Sequence, residues 1–161
     1  MKKFIIAVIA VFLLTGGTIT VMLVGASRVS LYYRDSNDHL RDVLVNGSKV
    51  CASHTDSDAP DTILDPSNTA SFMDAVTRSG LLHKVLPPGN KKGIVVTFAD
   101  GAVYTVVDGG TDSSGKDVAY IIYEYQNQKY YYTLTGYRTY NRVSECVSPE
   151  GFGYKNQLAG D

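Results

Sequence analysis

The stretch most suggestive of chemistry is Gly110-Thr111-Asp112-Ser113-Ser114-Gly115-Lys116. Its spacing matches G-x-x-x-x-G-K, in which backbone N–H groups and a lysine cradle phosphates. That chemistry also needs a Ser or Thr next, to hold magnesium, and a helix N-terminus behind the loop. Here Asp117 follows, and Val118–Tyr125 reads as a strand, so the stretch is expected to be a connector between strands. The same connector holds Ser113-x-x-Lys116, a spacing used by some serine acyltransferases, but the S-D-N and K-T-G elements of those enzymes are absent. Asp56, Asp58 and Asp61, or Asp108, Asp112 and Asp117, could offer carboxylates to calcium. Counting from Asp56, however, Asp61 stands where an EF-hand loop needs glycine, and these acids read as solvated loop residues. His39, His54 and His83 are scattered, and no serine sits in a G-x-S-x-G elbow. These residues nominate no catalytic group, no cofactor site and no metal site, so the chain is not expected to be an enzyme.

Two other residue types carry more. Cys51 and Cys146 are the only cysteines, and in an oxidising compartment such a pair is expected to bridge. Closing a loop of that length stabilises by about 4–5 kcal/mol in the chain-entropy picture. There are 12 tyrosines and no tryptophan, and eight of the tyrosines fall between Tyr120 and Tyr140. A turn at Asn127-Gln128 pairs Tyr125 with Tyr130, Tyr123 with Tyr132 and Ile121 with Leu134, all on one face. Tyr120 and Tyr131 then face the other way and are the candidate partner-binding residues, since tyrosine offers area with a polar tip.

The elements that must position these residues begin with the N-terminus. Lys2 and Lys3 precede Phe4–Ala26, 23 residues without a charge. About 20 such residues suffice for a membrane-spanning helix, whereas a cleaved signal has an apolar region of about 7–15. The run is read as a retained, single-pass anchor, with cleavage after Val24-Gly25-Ala26 as the competing reading. The lysines favour a cytoplasmic N-terminus, which puts the rest of the chain outside the cytoplasm, periplasmic or extracellular.

Residues 27–50 read as a juxtamembrane segment. Ser36 is placed to cap a short helix through Leu44, after a break at Asp35-Ser36-Asn37-Asp38, with Asn46-Gly47 as its stop. Ala52–Pro60 reads as a polar loop. Asp65-Pro66 opens the main helix, with Phe72, Met73 and Val76 on one side and Gly80 as its stop. Leu81–Leu86 is an apolar tail. From Gly93 the apolar period becomes two. Asp100-Gly101 marks a hairpin that sets Phe98 against Val103, Val96 against Thr105 and Ile94 against Val107, a face expected to meet the helix. Tyr137–Val143 reads as a fifth strand that delivers Cys146.

The expected architecture is therefore α+β: one main helix on an antiparallel meander of four to five strands. Its parts are an anchor at 1–26, the juxtamembrane segment at 27–50, a domain at 51–147 and a flexible tail at 148–161. Net charge is −1, which gives no basic field for nucleic acid. Apolar helix, second helix, meander and terminal cysteine follow one another in an order that resembles a type IV pilin or pseudopilin. The prepilin glutamate is missing, since cleavage after Gly17 would put Met22 at the fifth mature position. The expectation is a membrane-anchored accessory protein that binds another envelope protein. An assembly subunit that uses its N-terminal helix is the alternative, and an exported hydrolase comes third.

Overall fold

The computed structural model describes residues 26–55, 61–77, 81–83, 93–136 and 139–148. Helix α1 covers 26–46. Strands β1 (Val50–His54) and β2 (Thr62–Leu64) follow, then α2 (Pro66–Thr77) and β3 (Leu81–His83). The chain continues through β4 (Gly93–Phe98), β5 (Val103–Thr111), β6 (Asp117–Tyr125) and β7 (Gln128–Gly136), and the last described helix is α3 (Thr139–Val147). Seven strands make one open sheet in the order β2-β1-β4-β5-β6-β7-β3, and every neighbouring pair is antiparallel. The α+β class stands as expected, while among the described residues the four to five strands become seven and the one main helix becomes three.

Among the described residues, the helices all cover the same face of the sheet. Val50, Val96, Tyr104, Tyr123 and Tyr132 all point to it and are almost wholly buried. All three helices lie there. Tyr32 of α1 touches Tyr104, Tyr123 and Tyr132, Phe72 of α2 touches Tyr104, and α3 packs on β5, β6 and β7.

Helix α1 runs unbroken through Asp35-Ser36-Asn37-Asp38, so the expected break and the Ser36 cap do not occur. Such residues leave a helix by bonding their own backbone. Here Ser36 bonds Tyr104 and Asp35 receives the Tyr123 hydroxyl instead, so the reason for a break is gone. The expected stop does occur: Gly47 takes φ +68° and its N–H donates to the Val43 carbonyl at 3.1 Å. Since Tyr32 and Val43 lie in the same core as the sheet, α1 is part of the packed domain rather than a spacer before it.

Helix α2 begins as read. The Asp65 carboxylate accepts the Asn68 N–H at 2.7 Å, and Pro66 opens the first turn. Its expected stop at Gly80 lies outside the described residues. Of the stretch read as a polar loop, Ala52–Pro60, the first three residues belong to β1, which sits between β2 and β4 inside the sheet, and residues 56–60 lie outside the described ones. Leu81, read as part of an apolar tail, begins β3 on the edge of β7. Of the expected fifth strand, Tyr137–Val143, the described residues 139–143 are helical and belong to α3. Thr139, Val143 and Val147 are its buried residues, a spacing of four that buries one helical side, where a strand would need a spacing of two.

Among the described residues no helix is long and apolar enough to cross a membrane, and the expected anchor lies outside them except for Ala26.

Candidate functional site

Two surfaces of the sheet could carry function, and they differ in kind. The first is internal, between α1 and the sheet. Tyr32, Ser36, His39 and Val43 recur every three or four residues, so they share one side of α1 and all are buried. Each polar member meets a partner on another element. Tyr32 donates its hydroxyl to the Val76 carbonyl at 3.1 Å, and Ser36 shares a 2.9 Å hydrogen bond with the Tyr104 hydroxyl. The His39 ring joins two elements at once. Nδ1 lies 2.5 Å from Asp100 Oδ2 in the β4–β5 loop, and Nε2 lies 2.9 Å from the Tyr123 hydroxyl on β6. Tyr123 also reaches Asp35 Oδ2 at 3.3 Å, and Tyr132 donates to the Arg28 carbonyl at 3.1 Å.

Burial pushes the hydroxyls of Tyr32, Tyr104, Tyr123 and Tyr132 above the ordinary phenol range. For Tyr123 the neighbouring Tyr104 and Asp35 add to that effect. All four therefore stay neutral donors. Aspartate, histidine and a hydroxyl in series have the connectivity of a general base and its acceptor. Yet the His39 side chain is 2% exposed and Tyr123 1%. The two inner links of the series are buried while Asp100 reaches the surface, and together they fasten α1 to the β4–β5 loop and to β6.

None of these polar contacts was nominated by sequence. Asp100 lies 61 residues from His39 and Tyr123 lies 84 away. The available signal was the shared helical side of Tyr32, Ser36, His39 and Val43, two of them polar and easily taken for a solvated stripe.

The second surface is the face of the sheet that no described helix covers. Tyr120 and Tyr131 both lie on it, half-buried. In one row Tyr131 stands opposite Ile122, then Thr105, Val95 and Ser53. On one side of it lies the row Thr133, Tyr120, Val107, and on the other Lys129, Glu124, Val103, Thr97, Cys51, Ile63. Lys129 and Glu124 neutralise one another at 2.6 Å. The central rows are β-branched, aromatic and uncharged, and Ile63 at the β2 edge is 67% exposed.

The cysteines expected to bridge are both thiols in the structure. Cys51 is on the uncovered face, in register with Thr97 and Ile63, while Cys146 belongs to α3 on the covered face. A bridge needs Cβ atoms about 4 Å apart, and no bridge joins the two residues in the structure.

The Gly110–Lys116 stretch is the end of β5, Gly110 and Thr111, and the hairpin connection to β6, residues 112–116. Asp112 N–H donates to the Lys116 carbonyl, and the Asp112 carboxylate accepts from the Ser114 and Lys116 backbones. The Ser114 hydroxyl bond is the chief cause holding that carboxyl below the usual range. The carboxylate thus takes the N–H groups that a phosphate would need, and a strand follows rather than a helix. Among the described residues no three His, Cys, Asp or Glu side chains gather as metal ligands. Asp56 and Asp58 lie outside them.

Compared with known families, curated proteins and solved structures, the chain matches none.

Proposed function

We propose that the chain is a membrane-anchored, extracytoplasmic accessory protein that binds another envelope protein through the uncovered face of its sheet. The observation that carries this reading is the row of Tyr131, Ile122, Thr105 and Val95, flanked by Tyr120 and bordered by a self-neutralised ion pair. Aromatic and β-branched residues in a neutral centre with a charged rim are the composition of a binding patch. The uncharged run Phe4–Ala26 supports attachment at the membrane.

A photo-crosslinking residue at position 131, in intact cells, is expected to trap one envelope protein, with the adduct lost in Ile122→Glu. An adduct from Asp38, on the exposed side of α1, with none from 131 would sink the proposal. Attachment is tested by fractionating cells that carry a reporter fused after Asp161. A soluble mature species starting at Ser27 would defeat the anchor.

A second reading, an assembly subunit, is favoured by one feature. Helix α1 is unbroken from 26 to 46 and lies across the sheet, so the apolar run leads directly into a docked helix. Crosslinked ladders of the chain that vanish when residues 4–26 are replaced would support it.

A further inference from the structure

Strands β3 and β4 follow one another in the chain but lie far apart in the sheet. β3 is at one edge, and β7, β6 and β5 stand between it and β4. Each of these steps is antiparallel, so β3 and β4 run the same way. The pairings also fix their level. Leu82, Thr133, Tyr120, Val107 and Gly93 stand in one row, so the chain leaves β3 at His83 and enters β4 at nearly the same height. The sideways gap is about 19 Å at the usual strand spacing. Residues 84–92, outside the described ones, join the two ends. Fully extended, that connection reaches about 33 Å.

A path around either end of the sheet is longer than that. Toward one end β6 runs on from Ile121 to Tyr125, and toward the other β5 runs on from Val107 to Thr111. Each detour adds about 13 Å outward and at least as much back. The connection therefore crosses a face. Two observations select the face turned away from the helices. The first is the hand of the chain. β2 and β3 also run the same way, and α2 joins them across the helix side, from one edge of the sheet to the other. The step from β3 to β4 travels back in the opposite direction. Crossovers between parallel strands are right-handed almost without exception, and two right-handed crossovers in opposite directions need opposite faces. The second is burial. On the face away from the helices Val107 is 2% exposed and Val118 8%. Thr105, Ile122 and Tyr131, further along the same face, are only half-buried. Burial is thus concentrated at the level between His83 and Gly93.

We propose that this chain's own residues 84–92 cross the sheet on the side away from the helices, over Tyr120 and Val107, and bury that end of the face. The composition suits the task. Val85-Leu86-Pro87-Pro88 is uncharged and apolar. A chain laid over a sheet, rather than added to its edge, has no ladder partners for its N–H groups, and proline has none to satisfy. Tyr120 is then interior, and the surface left to a partner is the end that carries Tyr131, Ile122, Thr105 and Val95. The crossing narrows the docking surface proposed above and does not depend on it.

The test is methyl NMR on the unaltered full chain in detergent, with valine and leucine methyls labelled. Val85 and Leu86 are the methyl-bearing residues of the connection. Their methyls are expected to give NOEs to Val107 or Val118. NOEs instead to Val106 or Leu134, which face the helices, or to neither pair, overturn the proposal. Thermal melts give a second reading. Tyr120→Ser is expected to lower Tm several-fold more than Tyr131→Ser, since one ring is covered and the other is not. Equal losses, or the reverse order, also overturn it. Neither measurement involves a partner. A failure to crosslink from position 131 leaves the crossing standing, and a failure here leaves the whole face, Tyr120 included, to the partner.

Discussion

The two central hairpins solve the same problem with different turns. Strands β6 and β7 join through two residues, Gln126 and Asn127, both left-handed at φ 49° and 61°. Such a turn matches the twist of its strands. Strands β4 and β5 join through three, Ala99, Asp100 and Gly101, with only Gly101 left-handed at φ +88°. The Phe98 N–H then donates to the Ala102 carbonyl at 2.9 Å, and the Gly101 N–H donates to the Phe98 carbonyl at 3.0 Å. The odd residue matters more than its size suggests. It moves the register by one, and a shift of one exchanges the two faces of a strand. Tyr104 and Val106 point toward the helices, while Val103, Thr105 and Val107 lie on the opposite face, where Val107 is itself buried.

What holds the longer loop is Asp100. Its Oδ1 accepts the Ala102 N–H at 3.1 Å, and its Oδ2 holds His39. One carboxylate therefore sets the turn and docks α1, whereas the β6–β7 turn rests on two left-handed residues with the Glu124–Lys129 pair just behind them. The first hairpin depends on tertiary structure and the second is local.

The largest effect should come from the face exchange itself. Tyr104→Ala removes a buried ring in contact with Tyr32, Phe72 and Tyr123, and is expected to cost about 3–5 kcal/mol. Val103→Ala, next to it on the other face, should cost under about 1 kcal/mol. Denaturant midpoints of the two variants decide the register of β5, and the reverse order would restore the two-residue turn. In the second hairpin the matching pair is Tyr132→Ser against Tyr131→Ser, with the same ratio expected.

The second effect isolates Asp100. Asp100→Ala leaves a buried His39 donor and the Ala102 N–H without their acceptor, a loss of about 2–3 kcal/mol. If one carboxylate couples turn and helix, Asp100→Ala and His39→Ala should be non-additive by about 1 kcal/mol or more in a double-mutant cycle. Simple additivity would break the link between loop and α1.

These residues also show what the sequence could carry. The faces of β6 and β7 were legible because aromatics alternate with other residues, so Tyr123, Tyr125, Tyr130 and Tyr132 share a side for any turn of the right parity. The register was not. The turn expected at Asn127-Gln128 sits one residue earlier, and Tyr123 faces Tyr130 rather than Tyr132. The faces of β5 were illegible, because Val103–Val107 is apolar or aromatic at nearly every position and periodicity then selects no side. The choice passed to Asp100, whose helix partner is distant in sequence. The Asp65-Pro66 start of α2 and the Asn46-Gly47 stop of α1 were readable because caps act within one turn. The face of Tyr120 and Tyr131 was readable, and the polar inner network was not, since histidine and serine on a helix look like solvent-facing residues until a sheet is placed against them.

A third, smaller effect separates the turns by glycine. A Cβ at Gly101 would meet nothing within 4 Å, so Gly101→Ala pays only for its left-handed backbone. That penalty is about 1–2 kcal/mol, and reduced freedom of the unfolded chain returns part of it, leaving about 1 kcal/mol of destabilisation. A thermal melt with no shift would mean that the loop has a second conformation open to alanine.

The smallest effect has the opposite sign. Gln126 is a long L-residue held at φ 49°, where the turn would prefer Gly or Asn. Gln126→Gly removes the left-handed penalty but gives the unfolded chain more freedom, and these terms nearly cancel. The balance is expected to favour the folded state by about 0.5 kcal/mol, read as a small rise in denaturant midpoint at constant slope. Glycine is thus stabilising in one hairpin turn while its removal is destabilising in the other, because both turns contain positions that an ordinary side chain fits poorly and only one of them carries glycine there. The substitution touches neither the Tyr ladder nor α1, so it leaves the covered face intact. A clear loss of stability in Gln126→Gly would show that Gln126 contributes a contact beyond its backbone, and that the second hairpin is not local after all.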